Sequence, residues 1–550
     1  MLARLPWLAV LSAFLFAGGS ALAEQKPDPS KPPGDVEKLA ASIDHNIAHR
    51  WGEAKIEPAP SADDAEYLRR VYLDLAGRIP SVEEARTFLA DRRPDKRARL
   101  VEQILGGSRY VAHFTNVWRM LLLPEAGNNF QVRLQQPSFE AWLKQMVAKN
   151  AGYDEMAREL LTAPFNKGIS EIELFLGAAA PTPLAFYAAK EFKPENLAAS
   201  TARVFLGVNV ECAQCHNHPF AEWKREEFWG FAAFFAGIKS RRTMDLLLPE
   251  KEVQDKRELI IPGTERVAQA RFLDGTEPVW KSKSTSRGAL VEWMTAPNNP
   301  YFARAAVNRL WAYFFGTGLV DPVDQMAGGD HQPSHPELLD LLAREFAVHR
   351  FDVKCLIRAI TASRAYQLTS AAYKDQDGRG HEDRTLFARM PLRGLTAEQL
   401  FDSVAMATGY RDSGRGDDLF SGFLGGQRSA RSAFLTRFAN QPERATEAQT
   451  SILQALSLMN GKVVAAATSL ENSETLAAVV EAPFVTTEER IETLYLATLS
   501  RKPEAKEQRR TVRFINNALQ RGKDSQHVAN DALADVFWAL LNSPEFIVNH

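Results

Sequence analysis

Apolar residues recur every three to four positions along most of this chain, a spacing that predicts helices. After a first segment at 36–51, Tyr67, Val71 and Leu75 share one face, and Ala85, Phe88 and Leu89 form a second stripe. Ser81 stands just before that stripe with Glu84 three residues on, the pattern of a capping box. Leu100, Ile104 and Leu105 follow, and further helices are expected at 111–123, 130–163 and 183–207, the last closed by Gly207. Later ones are expected at 301–315, closed by Gly316, and at 336–348, with Ser334 as N-cap and Glu337 as its capping-box partner. The series continues at 353–365, 397–408, 449–458, 488–499 and 531–542.

The period changes at 250–280. There ELIIPGTERVAQARFLDG alternates apolar and polar residues between the turn pairs Pro262-Gly263 and Asp274-Gly275, which predicts a small β-hairpin. The fold class expected is therefore mainly α, two packed helical domains with a small β-hairpin excursion between them. The bounds drawn from these shifts are a helical domain at 63–240, a β-containing junction at 241–290 and a second helical domain at 291–550. Residues 24–62 read as a Pro/Lys-rich linker carrying one short helix, and 409–426 as a loop.

The two ends of the chain resemble each other. Tyr72-Leu73, Arg78, Pro80 and Glu84 recur as Tyr495-Leu496, Arg501, Pro503 and Glu507 at a constant offset of 423 residues. Ser108-Arg109-Tyr110 follows the first copy, and Ser543-Pro544-Glu545-Phe546 the second. Two related helical units packed on a shared core are the simplest reading.

Composition is that of an ordinary globular protein, 45% hydrophobic and 24% charged, and 550 residues give room for two to four domains. A formal net charge of −2 offers no basis for a nucleic-acid partner. The N-terminus does change the picture. One basic residue, the apolar run at 5–16 and the A-x-A site Ala21-Leu22-Ala23 read as a signal peptide at 1–23, cleaved before Glu24. The run is too short for a membrane span, so the mature chain is expected to be exported to the periplasm or cell surface without a membrane anchor.

Chemistry concentrates at 207–238, GVNVECAQCHNHPFAEWKREEFWGFAAFFAGI. Cys212, Cys215 and His216 form C-x-x-C-H, the attachment signature of c-type haem. Two thiols one turn apart can each form a thioether to a porphyrin vinyl group, with the next imidazole beneath the iron as axial ligand. The aromatic run at 220–235 is then a wall for the macrocycle, or else plain core packing. Two other readings of the motif stay open: a Cys212–Cys215 disulfide or thiol pair, and zinc held by Cys212, Cys215 and His216 or His218. No spacing rule selects a distal haem ligand; Met244, Met326, His331 and His335 are candidates. Asp330, His331 and His335 are candidates for metal or acid–base work, against the plainer reading of a capped helix start. Arg304, Asn308 and Arg309 either reach a ligand or tie helices together, and Cys355 reads as a small buried hydrophobe. No nucleophile elbow, Walker loop, dinucleotide fingerprint or H-E-x-x-H is present.

Several stretches together resemble one known family. YLDLAGRIPSVEEA, ECAQCHNHPF, NPYFARAAVNRLWAYFFGTGLVDPVD, PSHPELLDLLAREF, ITASRAYQLTS, LRGLTAEQLFD and DVFWALLNSPEF are similar to proteins that pair the planctomycete cytochrome-like domain 2 with the planctomycete surface domain 1, domains of unknown function 1549 and 1553. The resemblance runs from about Asp63 to His550; the extra β-rich modules of longer relatives are missing and parts of 409–444 diverge. It implies an exported, mostly helical protein with no established activity. Three functions are carried forward: a mono-haem c-type protein for electron transfer or small-ligand chemistry with an exported redox partner, a haem-free surface or scaffold protein binding an exported protein or glycan, and a metal-dependent enzyme built on the Cys/His cluster.

Overall fold

Helices carry nearly all of the regular structure in the computed structural model, which describes residues 33–127, 129–165, 180–219, 221–238, 252–253, 255–281, 285–327, 331–371, 383–410, 431, 433–435, 468–521 and 525–550. The segment read as a signal peptide at 1–23, the helix expected at 449–458 and most of the loop expected at 409–426 lie outside these residues. The fold is mainly α, with two small two-stranded sheets among the described residues.

Local sequence sets the helix ends. Ser81 caps Val82–Ala90 with the expected capping box to Glu84. Gly207, Gly316 and Gly409 each stand at φ near +70° where a helical stretch ends, a conformation that costs glycine little. The segment expected as one helix at 130–163 is two, Phe130–Ala148 and Tyr153–Leu161. Asn150 sits at φ 51° between them and Gly152 caps the second. The 183–207 segment likewise divides into Ala185–Ala189 and Pro194–Thr201, with Glu191 and Phe192 in left-handed backbone before Pro194. A wide π-type turn, Ala202–Leu206, then leads to Gly207. The cap expected at Ser334 is displaced by one residue. Pro336 opens the helix Pro336–Val348, so His335, held out of helical geometry by the following proline, becomes the N-cap and makes no side-chain cap bond. Ser334 instead binds the Leu319 carbonyl through its backbone N–H (2.7 Å) and its hydroxyl (3.2 Å).

The expected hairpin is present as β1 (Glu258–Ile260) and β2 (Val267–Gln269), antiparallel and joined around Pro262-Gly263. A second pairing had no counterpart in the pattern: β3 (Arg393–Gly394) runs antiparallel to β4 (Val548–Asn549), bringing the end of the chain to its middle.

Two apolar cores are formed among the described residues. The larger draws on residues from Leu39 to Met390, so helices before and after the hairpin share it. Tyr153 stacks on Phe302 at 5.1 Å and Phe234 on Phe272 at 5.0 Å, linking segments on either side of the junction. The smaller core gathers residues from Leu395 to Phe546 together with Leu73 and Ile79. Leu496 makes the opposite crossing and belongs to the larger core.

The two sequence copies adopt the same clasp. Arg78 grips Glu84 through paired bonds of 2.9 Å and lies over the Tyr72 ring at 5.3 Å. Arg501 grips Glu507 at 2.7 and 3.0 Å and lies over Tyr495 at 5.6 Å. The copies also touch: Arg86 donates to Thr493 Oγ1 (2.7 Å), and buried Arg69 donates to the Thr498 and Phe546 carbonyls (3.0 and 2.7 Å).

Candidate functional site

The C-x-x-C-H motif sits in a loop whose apolar residues root it in the larger core. Val208, Val210 and Ala213 are buried, while Cys212, Cys215 and His216 are exposed. A single tight turn, Glu211–Gln214, sets the two cysteines apart, and both are free thiols. The alternation has a simple cause. Ala213 is the small residue between the thiols, and its burial turns its neighbours outward.

Polar bonds fix the loop further. The Gln214 carbonyl accepts from Trp229 Nε1 at 3.0 Å and from Arg225 Nε at 3.4 Å. Asn217 Oδ1 accepts the Arg225 backbone N–H at 3.0 Å. His216 Nδ1 lies 2.7 Å from the Asn217 carbonyl, and because a carbonyl only accepts, that nitrogen carries the proton. In the neutral ring, Nε2 then has the lone pair.

Most of the aromatic run is packed into the core. Phe228, Trp229, Phe231, Phe234 and Phe235 are all core residues, and Phe220 lies outside the described residues. Rings at helical spacing on Arg225–Ala232 face inward because that face is the buried one.

A second stretch of chain packs on the motif loop. Val208 pairs with Gln325, Met326 N–H donates to the Gly207 carbonyl at 2.9 Å, and Trp223 Nε1 donates to the Ala327 carbonyl at 3.3 Å. Of the distal-ligand candidates, Met326 is half-buried against Gly207 and His331 is exposed four residues past Ala327. His335 is buried beside Phe387, with ring centroids 5.5 Å apart. Met244 lies outside the described residues.

Two family models match the chain: PSCyt2, a protein of unknown function (DUF1549), over residues 42–240, and PSD1, a protein of unknown function (DUF1553), over residues 286–515. The chain belongs to this two-domain family. No curated protein and no solved structure matches it.

In this PSCyt2–PSD1 chain the remaining candidates separate cleanly. Among the described residues no three His, Cys, Asp or Glu side chains are gathered around a point that a metal ion could hold, so Cys212, Cys215, His216 and His218 do not form one cluster. Asp330 lies outside the described residues. The His335 Nδ1 is 3.0 Å from Ser334 Oγ, and burial, reinforced by the nearby positive Arg50, lowers its pKa to about 4. Arg304 pairs with Asp340, Asn308 clasps Val320 by two bonds of 2.8 and 2.9 Å, and Arg309 binds Asp324 (2.6 Å) and the Arg203 carbonyl (3.0 Å). All three tie elements together. Cys355 is buried as expected. Sequence reading gave no role to Asn217 and Arg225, and took Trp229 only as one ring of the aromatic run; these three residues hold the motif loop. Arg225 left a trace as a basic residue inside that run, and Asn217 as a polar one just before it. No helix among the described residues is long and apolar enough to cross a membrane.

Proposed function

We propose that this is an exported protein carrying one haem c, attached through Cys212 and Cys215 with His216 as the proximal ligand. The observation that carries the reading is the state of the three side chains. Both thiols are free and exposed across one turn, and the imidazole beside them has its Nδ1 engaged by a backbone carbonyl. That is the arrangement a metal-bound histidine ordinarily has, with its outer nitrogen donating to a carbonyl and its inner one free to ligate. Haem c in this position supplies one-electron chemistry or small-ligand binding.

This chain's own residues present the attachment points and limit their motion. Ala213 plugs the loop into the core, Trp229 and Arg225 pin Gln214, and Asn217 orients His216. Exposure of the motif favours exchange of electrons with a partner at the surface over chemistry in an enclosed pocket. The apolar run and A-x-A site at 1–23 support export, which haem attachment of this kind requires.

Co-expression with a c-type maturation system, followed by haem staining after denaturing electrophoresis, tests the reading. Retained stain in the wild type, lost in C212A/C215A, is expected. An unstained wild-type band overturns it and leaves the haem-free surface protein as the account of the fold.

A further inference from the structure

We infer that Asn217 and Arg225 are positioning residues that hold His216 in the Nδ1–H tautomer and aim its Nε2 outward as a ligand nitrogen. The chemistry of that ligand rests on the haem reading; the geometry does not.

Three bonds converge from one residue. Arg225 donates its backbone N–H to Asn217 Oδ1 (3.0 Å), its Nε to the Gln214 carbonyl (3.4 Å) and its Nη2 to the Pro262 carbonyl (2.6 Å). Gln214 lies between the two cysteines, Asn217 follows the histidine, and Pro262 is in the turn between β1 and β2. Arg225 thus fastens the motif loop at two points, between the cysteines and just after the histidine, and braces it against the hairpin. The ion pair between Arg266 and Glu226 (2.5 Å) joins hairpin and helix a second time. Within this frame the Asn217 peptide has one orientation, and its carbonyl takes the proton-bearing nitrogen of His216 at 2.7 Å.

The alternatives show why this matters. An exposed imidazole without such a partner exchanges its proton between two nitrogens and turns freely about its side-chain bonds. A ring fixed by one nitrogen offers the other in a single direction, and outer partners of that kind commonly alter metal affinity by about 10–100-fold. Asn217 and Arg225 act on the orientation of the His216 ring and not on the ligand nitrogen itself.

The test uses the full-length mature chain, with and without haem, labelled with 15N-histidine and with His216 assigned by H216Q. In the haem-free wild type the His216 ring is expected as one tautomer, protonated at Nδ1. N217A, which frees the Arg225 N–H, and R225A, which frees Gln214 and Pro262, are expected to return the ring to a mixture of tautomers. N217D retains an acceptor for that N–H and is expected to keep the wild-type spectrum. In the haem-loaded chain, the iron–histidine stretch is expected to shift in N217A and R225A and to stay in place in N217D. A wild-type ring protonated at Nε2, or unchanged tautomer populations in both N217A and R225A, overturns the inference even if haem is bound. A wild type that binds no haem overturns the functional reading and leaves the tautomer result to decide this one.

Discussion

Leu73 and Leu496 hold matching places in the two copies of the clasp, and each is fully buried in the core that the other copy builds. Leu73 belongs to the smaller core, which also holds Tyr495 and Leu494; Leu496 belongs to the larger one, which also holds Tyr72 and Leu75. The exchange ties the cores to each other. L73A and L496A are each expected to lower the free energy of unfolding by about 2–5 kcal/mol, the range for a buried leucine. Chemical denaturation of the single and double mutants checks this. A double mutant whose loss differs from the sum of the singles by more than about 0.5 kcal/mol is the signature of coupled cores.

Asp74 is the charged centre of the same region. It is 1% exposed, and its carboxylate receives bonds from Arg393 (2.8 and 3.0 Å), Tyr366 (2.8 Å) and Asn549 (2.7 Å). D74A leaves the half-buried Arg393 side chain without its counter-ion and strands the Tyr366 hydroxyl and Asn549 amide, and is expected to cost about 3–5 kcal/mol. Paired removal in D74A/R393M is expected to recover part of that loss, measured by urea titration.

Gly207 joins the helical segment to the motif loop at φ 65°, and a Cβ added there meets Met326 Sδ at 2.8 Å. G207A is therefore expected to lose about 1–2 kcal/mol from left-handed backbone alone, plus a packing loss as Met326 moves. Adding M326A relieves the second part and leaves the first. Thermal unfolding of G207A and G207A/M326A separates them.

Two buried histidines make stability depend on pH in a fixed direction. Burial lowers the pKa of His113 to about 4, and burial together with Arg50 does the same for His335. In the unfolded chain both titrate near 6.5, so the unfolded state binds more protons between pH 6.5 and 4. Stability is expected to fall as pH drops through that window, by about 2 kcal/mol per histidine at pH 5. Denaturant midpoints at pH 7 and 5 for the wild type and H335N measure the slope. A variant as pH-sensitive as the wild type removes His335 from the explanation.

How much of this could be read from the chain follows from the range of each interaction. The glycine stops at Gly207 and Gly316 and the Ser81–Glu84 box are local and appear where the pattern puts them, whereas left-handed backbone at Asn150 and at Glu191–Phe192 divides two of the expected helices. The hairpin was legible for the same reason. The second clasp was legible because the copy at Arg501 and Glu507 repeats the first at a constant offset. The Asp74 knot was not, since its partners Arg393 and Asn549 are 319 and 475 residues away and leave no period behind. The aromatic run shows the other limit. Composition marked 220–235 as special, but burial made most of those rings core, while the motif loop is held by Arg225 and Trp229 within the run and Asn217 just before it. At Ser334, one proline moved the cap by a residue.

The intact mass of the protein, purified after co-expression with a c-type maturation system, decides whether Cys212 and Cys215 carry haem. A chain beginning at Glu24 and heavier by one haem, with the increment lost in C212A/C215A, is the predicted result. A mass equal to the unmodified mature polypeptide contradicts it.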